Sequence, residues 1–168
     1  MLTRFFHHRA FKKSKQNYLA AKKLDRKFKV ASVAFLVDAS LELSIAYFHR
    51  VAEKLNIPLN AVLLLMFNSN ANGTEKTPHD FNPKDISFFG KFGGDLAAFC
   101  AAPVDLMVVY TNENNFYMNW VAVEKPKKIS VGFSATEQSI NDIIFAFPPT
   151  EKETFESELV KYLNIIDK

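Results

Sequence analysis

The chain of 168 residues carries a formal net charge of +3, is 48% hydrophobic and 23% charged, and holds 17 Phe but one Cys. This composition excludes a wholly disordered chain, and the length suits one domain plus an extension. A single thiol excludes an internal disulfide, no Cys/His cluster has zinc spacing, and no apolar run approaches the roughly 18 residues of a membrane span. A cytoplasmic protein without a transmembrane segment is expected, with no metal and no cofactor.

The charge is distributed unevenly. Residues 1–29 hold ten basic side chains, Arg4, Arg9, Lys12, Lys13, Lys15, Lys22, Lys23, Arg26, Lys27 and Lys29, against one acid, Asp25. Residues 30–168 hold eleven basic and seventeen acidic side chains, so a basic arm precedes an acidic body. The arm lacks Gly and Pro, and Thr3 to Lys27 reads as mostly helix. Its aromatics Phe5, Phe6, Phe11 and Tyr18 suit either base stacking or anchorage on the body. A block of this charge is either a solvated face or a contact for an anionic partner, because neutralising phosphates releases their counterions. RNA, ribosomal RNA foremost, is the expected partner, and an anionic membrane surface is the other candidate.

The body, residues 30–168, opens with Val30–Asp38, an apolar run of strand length. Apolar spacing predicts a helix over Leu41–Leu55, ended by Asn56 and Pro58, and Ala61–Phe67 reads as a second buried strand. Ser69–Lys84 reads as a loop, and Asp85–Phe89 as a short strand. Leu96–Ala101 is a short helix with Asp95 as its cap, and Val104–Tyr110 is a third strong strand. Asn114–Val123 is predicted helical, Ile129–Phe133 and Ile143–Phe147 as strands, and the rest as a final helix. Thr150 and Glu153 have capping-box spacing for that helix. The alternation implies a three-layer, mostly parallel Rossmann-like α/β sheet. The nine residues between the last two strands predict an antiparallel edge strand.

Several segments together resemble a family of small bacterial proteins of unknown function. They are the basic lead-in, VAFLVD at Val33–Asp38, VDLMVVY at Val104–Tyr110, KISVGFS at Lys128–Ser134 and LVKYLNI at Leu159–Ile165. The resemblance covers nearly the whole chain in layout and implies a Rossmann-like domain with a basic N-terminal arm. It implies no activity and no site residues.

No catalytic motif stands out. Gly90-Lys91-Phe92-Gly93-Gly94 precedes a predicted helix but is neither a Walker loop nor a dinucleotide fingerprint. The carboxyl ends of the strands gather Asp38, Ser40, Asn68, Asn112 and Ser134, where open α/β sheets bind ligands. These residue types are also helix caps and turn formers. His7 and His8 are adjacent, so on a helix they diverge and make a poor metal pair. Cys100 reads as a core thiol. The expected function is thus a non-enzymatic RNA-binding protein using residues 1–29. The alternative is a small-molecule or enzymatic domain using the crevice around Asp38.

Overall fold

A computed structural model describes residues 1–23, 27–71 and 76–167. Among the described residues five α-helices and six strands follow in order: α1 (Leu2–Ala21), β1 (Val33–Asp38), α2 (Ile45–Lys54), β2 (Val62–Phe67) and β3 (Asp80–Phe81). Then come α3 (Gly94–Ala101), β4 (Val104–Tyr110), α4 (Phe116–Glu124), β5 (Lys127–Phe133), β6 (Ile143–Phe145) and α5 (Lys152–Ile166). The strands form one sheet in the order β3-β2-β1-β4-β5-β6, and every pairing is parallel.

A parallel sheet is covered on both faces, which is why β1, β2 and β4 are nearly continuous apolar runs, with Asp38 at the end of β1 and Asp105 near the start of β4 as the polar exceptions. Alternate residues then divide between two cores. Val33, Phe35, Val37, Val108, Tyr110, Val131 and Phe133 face α2 and α5, with Phe48, Val51, Phe155 and Leu159 packed on them. Ala34, Leu36, Leu65, Met107 and Val109 face α3 and α4, with Leu96, Phe99, Met118 and Val121. The second core continues outward to Ala10, Phe11 and Tyr18 of α1, so the N-terminal helix lies on the body.

The edge strand β6 corrects the expectation of an antiparallel neighbour, because Val131, Gly132 and Phe133 pair in parallel with Ile143, Ile144 and Phe145. The reason is length. Three paired residues require a return of only about 7–10 Å, and nine connecting residues can span about 30 Å without a helix. Polar contacts hold that short crossover in place: Asn141 Nδ2 donates to Thr136 Oγ1 at 3.1 Å, and Ser130 N donates to Asp142 Oδ2 at 2.8 Å.

Other boundaries also shift. The helix expected from Leu41 begins at Ile45, because Ala39–Leu41 forms a 3-10 turn and Glu42 takes a left-handed conformation. Ser44 then caps α2 by accepting from Tyr47 N at 3.2 Å. The strand expected over Asp85–Phe89 is absent; Ile86 makes only an isolated bridge to Phe92. The sheet instead gains β3 from the stretch read as a loop, with Asp80 and Phe81 beside Met66 and Phe67. Two residues are too few to show a period. Gly93, not Asp95, caps α3, and no Thr150–Glu153 box forms, since Glu151 is the cap residue of α5. α1 ends at Ala21 rather than at Lys27, with Lys22 already extended. Among the described residues no helix is long and apolar enough to cross a membrane.

Candidate nucleic-acid interface

The faces of α1 have separate tasks. His7, Ala10, Phe11 and Tyr18 recur at three- and four-residue spacing and point inward. His7 is 1% exposed and shares a 2.8 Å hydrogen bond between Nε2 and the Ser87 carbonyl. Its ring meets Trp120 edge-on at 5.5 Å, and Phe11 lies 5.1 Å from Phe116. Tyr18 donates its hydroxyl to the Ile140 carbonyl at 2.9 Å. The helix is thereby tied to α4, to the turn before α3 and to the β5–β6 crossover.

The ten basic residues of the arm divide accordingly. Lys22 is turned to the body, 2.9 Å from Asp142, and donates to Ile140 O at 3.2 Å. Lys15 lies 3.3 Å from Glu137, and the Ser139 hydroxyl together with Lys15 holds that carboxyl below its usual range. Arg4, Arg9, Lys12, Lys13, Lys23, Lys27 and Lys29 are exposed. Arg26 lies outside the described residues. Arg9, Lys12 and Lys13 share the solvent face of α1 and form no ion pair among the described residues.

Sequence reasoning missed the basic run Lys125, Lys127 and Lys128, which the sequence displays as KPKK. It borders a hollow of about 240 Å³ shared with Tyr18, Lys22 and Lys23. Most of these amines serve the fold. Lys125 donates to the carbonyls of Phe99 (2.6 Å) and Ala102 at the end of α3. Lys127 donates to those of Ala122 and Lys125 and sits 4.2 Å from the Tyr18 ring centre. Burial pushes both ammonium groups down to about 8. Lys128 pairs with Asp105 at 2.8 Å.

The strand order reverses between β1 and β4, and a hollow of about 300 Å³ opens there, lined by Asp38, Ser40, Asn68, Ser69, Asn70 and Glu113 among others. The sequence-predicted residues are only partly gathered. Asn112 is exposed and does not line the hollow, and Ser134 lies at the end of β5, its N–H donating to Phe145 O at 2.9 Å. Several acceptor oxygens of the hollow serve local structure. Asp38 Oδ1 accepts from Ser40 N at 2.9 Å, and Oδ2 accepts from the Thr111 hydroxyl at 3.1 Å. Asn68 Oδ1 accepts from Asn70 N, and Asn115 Oδ1 caps α4 through Tyr117 N and Met118 N. Asp38→Ala is therefore expected to destabilise the protein by about 1–3 kcal/mol in the absence of any ligand, read by urea denaturation, because it leaves the buried Thr111 O–H without its acceptor and removes the cap on Ser40 N–H. Unchanged stability would show that these bonds contribute nothing.

The other candidates have structural settings. Burial pushes the Cys100 thiol up to about 12, so it stays protonated. His8 stacks obliquely on Phe116 at 4.3 Å, and His79 Nδ1 lies 3.3 Å from the Leu64 carbonyl. Among the described residues no group of three or more His, Cys, Asp or Glu is placed to hold a metal.

Neither a curated protein nor a solved structure matches the chain. A family model does match, over residues 4–166, and thus takes in nearly all of α1 together with the whole sheet. The chain belongs to the family of unknown function DUF6913.

Proposed function

We propose that this is a non-enzymatic RNA-binding protein of the cytoplasm, with the phosphates of RNA, ribosomal RNA foremost, lying along the outer face of α1. The carrying observation is the division of that helix. Its inner side is fixed to the body through His7, Phe11 and Tyr18, while Arg9, Lys12 and Lys13 project to solvent, paired with no acid among the described residues. A docked helix presents its cations in a fixed row, so less ordering entropy is lost on binding than with a flexible tail. Contacts of this kind position a nucleic acid without reading its sequence. At the β1–β4 switch-point hollow Asp38, Asn68 and Asn115 accept hydrogen bonds from the chain itself, which favours the arm over the hollow as the binding element.

Arg9, Lys12 and Lys13 changed together to Glu should lower RNA affinity at least about 100-fold. The salt slope of log K should flatten by about 0.7 for each phosphate of a single strand that is no longer neutralised. Gel-shift titration at three salt concentrations measures both. In native lysate the wild type should co-migrate with ribosomal particles on a sucrose gradient at low salt and leave them at high salt. Retained affinity in the triple variant would discard the proposal.

A further inference from the structure

The N-terminal end of α1 carries a cluster that the packing of the fold does not explain. Phe5 is 60% exposed and Phe89 77% exposed, with Phe88 partly exposed between them. The rings form one connected group: Phe5 to Phe6 is 5.8 Å, Phe6 to Phe88 is 4.9 Å, and Phe6 to Phe89 is 5.9 Å. These rings come from two elements that are distant in sequence, the first turns of α1 and the Ser87–Gly90 turn.

The junction is rigidly built. Gly90 N donates to Ser87 O at 2.8 Å, Ser87 N to Lys91 O at 2.8 Å, and the Ser87 carbonyl also meets His7 Nε2. Gly90 has φ +86°, and a Cβ there would come within 2.9 Å of both Ala10 and Trp120. Only glycine fits both that conformation and that approach. The turn is therefore locked against α1 with Phe89 held outward at its tip.

Helical phase places Phe5 on the same face as Arg9, Lys12 and Lys13, at spacings of four, seven and eight residues. Eight residues of helix rise about 12 Å, the length of three or four stacked nucleotides. Exposed Lys91 follows the turn in sequence and adds a further cation to this end of the body. Resting on the RNA reading above, we infer that the ligand is single-stranded RNA: unpaired bases stack on Phe5 and Phe89 while the backbone tracks Arg9, Lys12 and Lys13. Aromatic rings next to a basic row are the recognition chemistry of unpaired strands, because every base offers a π face. A duplex keeps those faces covered. A bilayer fits the surface less well, since an interfacial helix needs a continuous apolar face, and the apolar face of α1 is turned to α4.

Fluorescence anisotropy decides the matter, using a 12-nucleotide single-stranded RNA and a duplex of equal length. The proteins are wild type, the Phe5→Ala/Phe89→Ala double variant and the Arg9→Glu/Lys12→Glu/Lys13→Glu triple variant. The wild type should prefer the single strand at least about tenfold. The double variant should lose at least about tenfold on the single strand and nothing on the duplex, with an unchanged melting temperature, because both rings are at the surface. The triple variant should lose both. Full single-strand affinity in the double variant, alongside loss in the triple variant, would overturn the stacking inference and leave the RNA reading standing. Absence of RNA binding by the wild type would overturn both. Sedimentation with phosphatidylserine vesicles that depends on Phe5 and Phe89, with RNA affinity independent of them, would assign the cluster to a bilayer and overturn the inference.

Discussion

Trp120→Ala is expected to lower stability by about 3–5 kcal/mol and to open α1 to trypsin at Arg9, Lys12 and Lys13. Trp120 is 1% exposed although it lies on the outer side of α4, because α1 and the glycine turn cover it. Its ring lies 5.5 Å from His7, 6.4 Å from Phe11, 5.3 Å from Phe92 and 6.0 Å from Phe116, and Nε1 donates to Glu124 Oε1 at 3.3 Å. Removing it empties the centre of the contact between α1 and the body. Most of a helix's stability in a protein comes from packing of one face, so the helical state of α1 depends on that contact. Undocking should thus appear as faster cleavage within residues 4–13 before global unfolding. The variant lacks the chain's single tryptophan, so circular dichroism in urea, not fluorescence, gives the stability. A decrease under about 1 kcal/mol with α1 still resistant to trypsin would show that α1 is held by its polar ties alone.

Legibility in the sequence followed physical scale. β1, β2 and β4 are visible because a strand buried on both faces must be apolar throughout, and their alternation with helices yields the doubly wound order. The helicity of α1 is equally visible; its docking is not. The inward residues His7, Ala10, Phe11 and Tyr18 are interrupted by polar Ser14, and the apolar Leu2, Phe5 and Leu19 point outward, so no single stripe shows in the letters. The direction of β6 is illegible because a nine-residue link fits a hairpin or a short crossover, and only the register distinguishes them. At the candidate interface the basic residues are legible as a set. Their division into inward Lys15 and Lys22 and outward Arg9, Lys12 and Lys13 requires the positions of Glu137 and Asp142 in three dimensions. Phe88 and Phe89 look like strand residues in a linear reading, and only the fold brings them beside Phe6.

Lys125→Met is expected to destabilise the protein by about 2 kcal/mol at pH 9 and by about 1 kcal/mol at pH 8. Lys125 is 1% exposed, and its amine donates to the carbonyls of Phe99 and Ala102, which α3 leaves without helical partners at its end. Methionine keeps the volume and removes the donor, so two carbonyls lose their partner at about 1–3 kcal/mol each. Against that stands relief from burying a charge. Burial pushes the Lys125 ammonium from 10.5 down to about 8, so between those values the unfolded chain binds more protons than the native one, and native stability rises with pH. From pH 8 to 9 the gain is about 1 kcal/mol for Lys125, and Lys127, pushed down to about 8 by its own burial, adds a similar amount. Cys100 acts in the opposite direction: its thiol is pushed from 9.0 up to about 12, so stability falls as pH climbs towards and past 9.0, by well under 1 kcal/mol between pH 8 and 9. The wild type should therefore stabilise from pH 8 to 9, and Lys125→Met should show roughly half that slope or less. Urea denaturation of both proteins at the two pH values provides the comparison. An identical difference between them at pH 8 and pH 9 would mean that the Lys125 amine keeps its charge in the fold, held by the two carbonyls more strongly than burial opposes it.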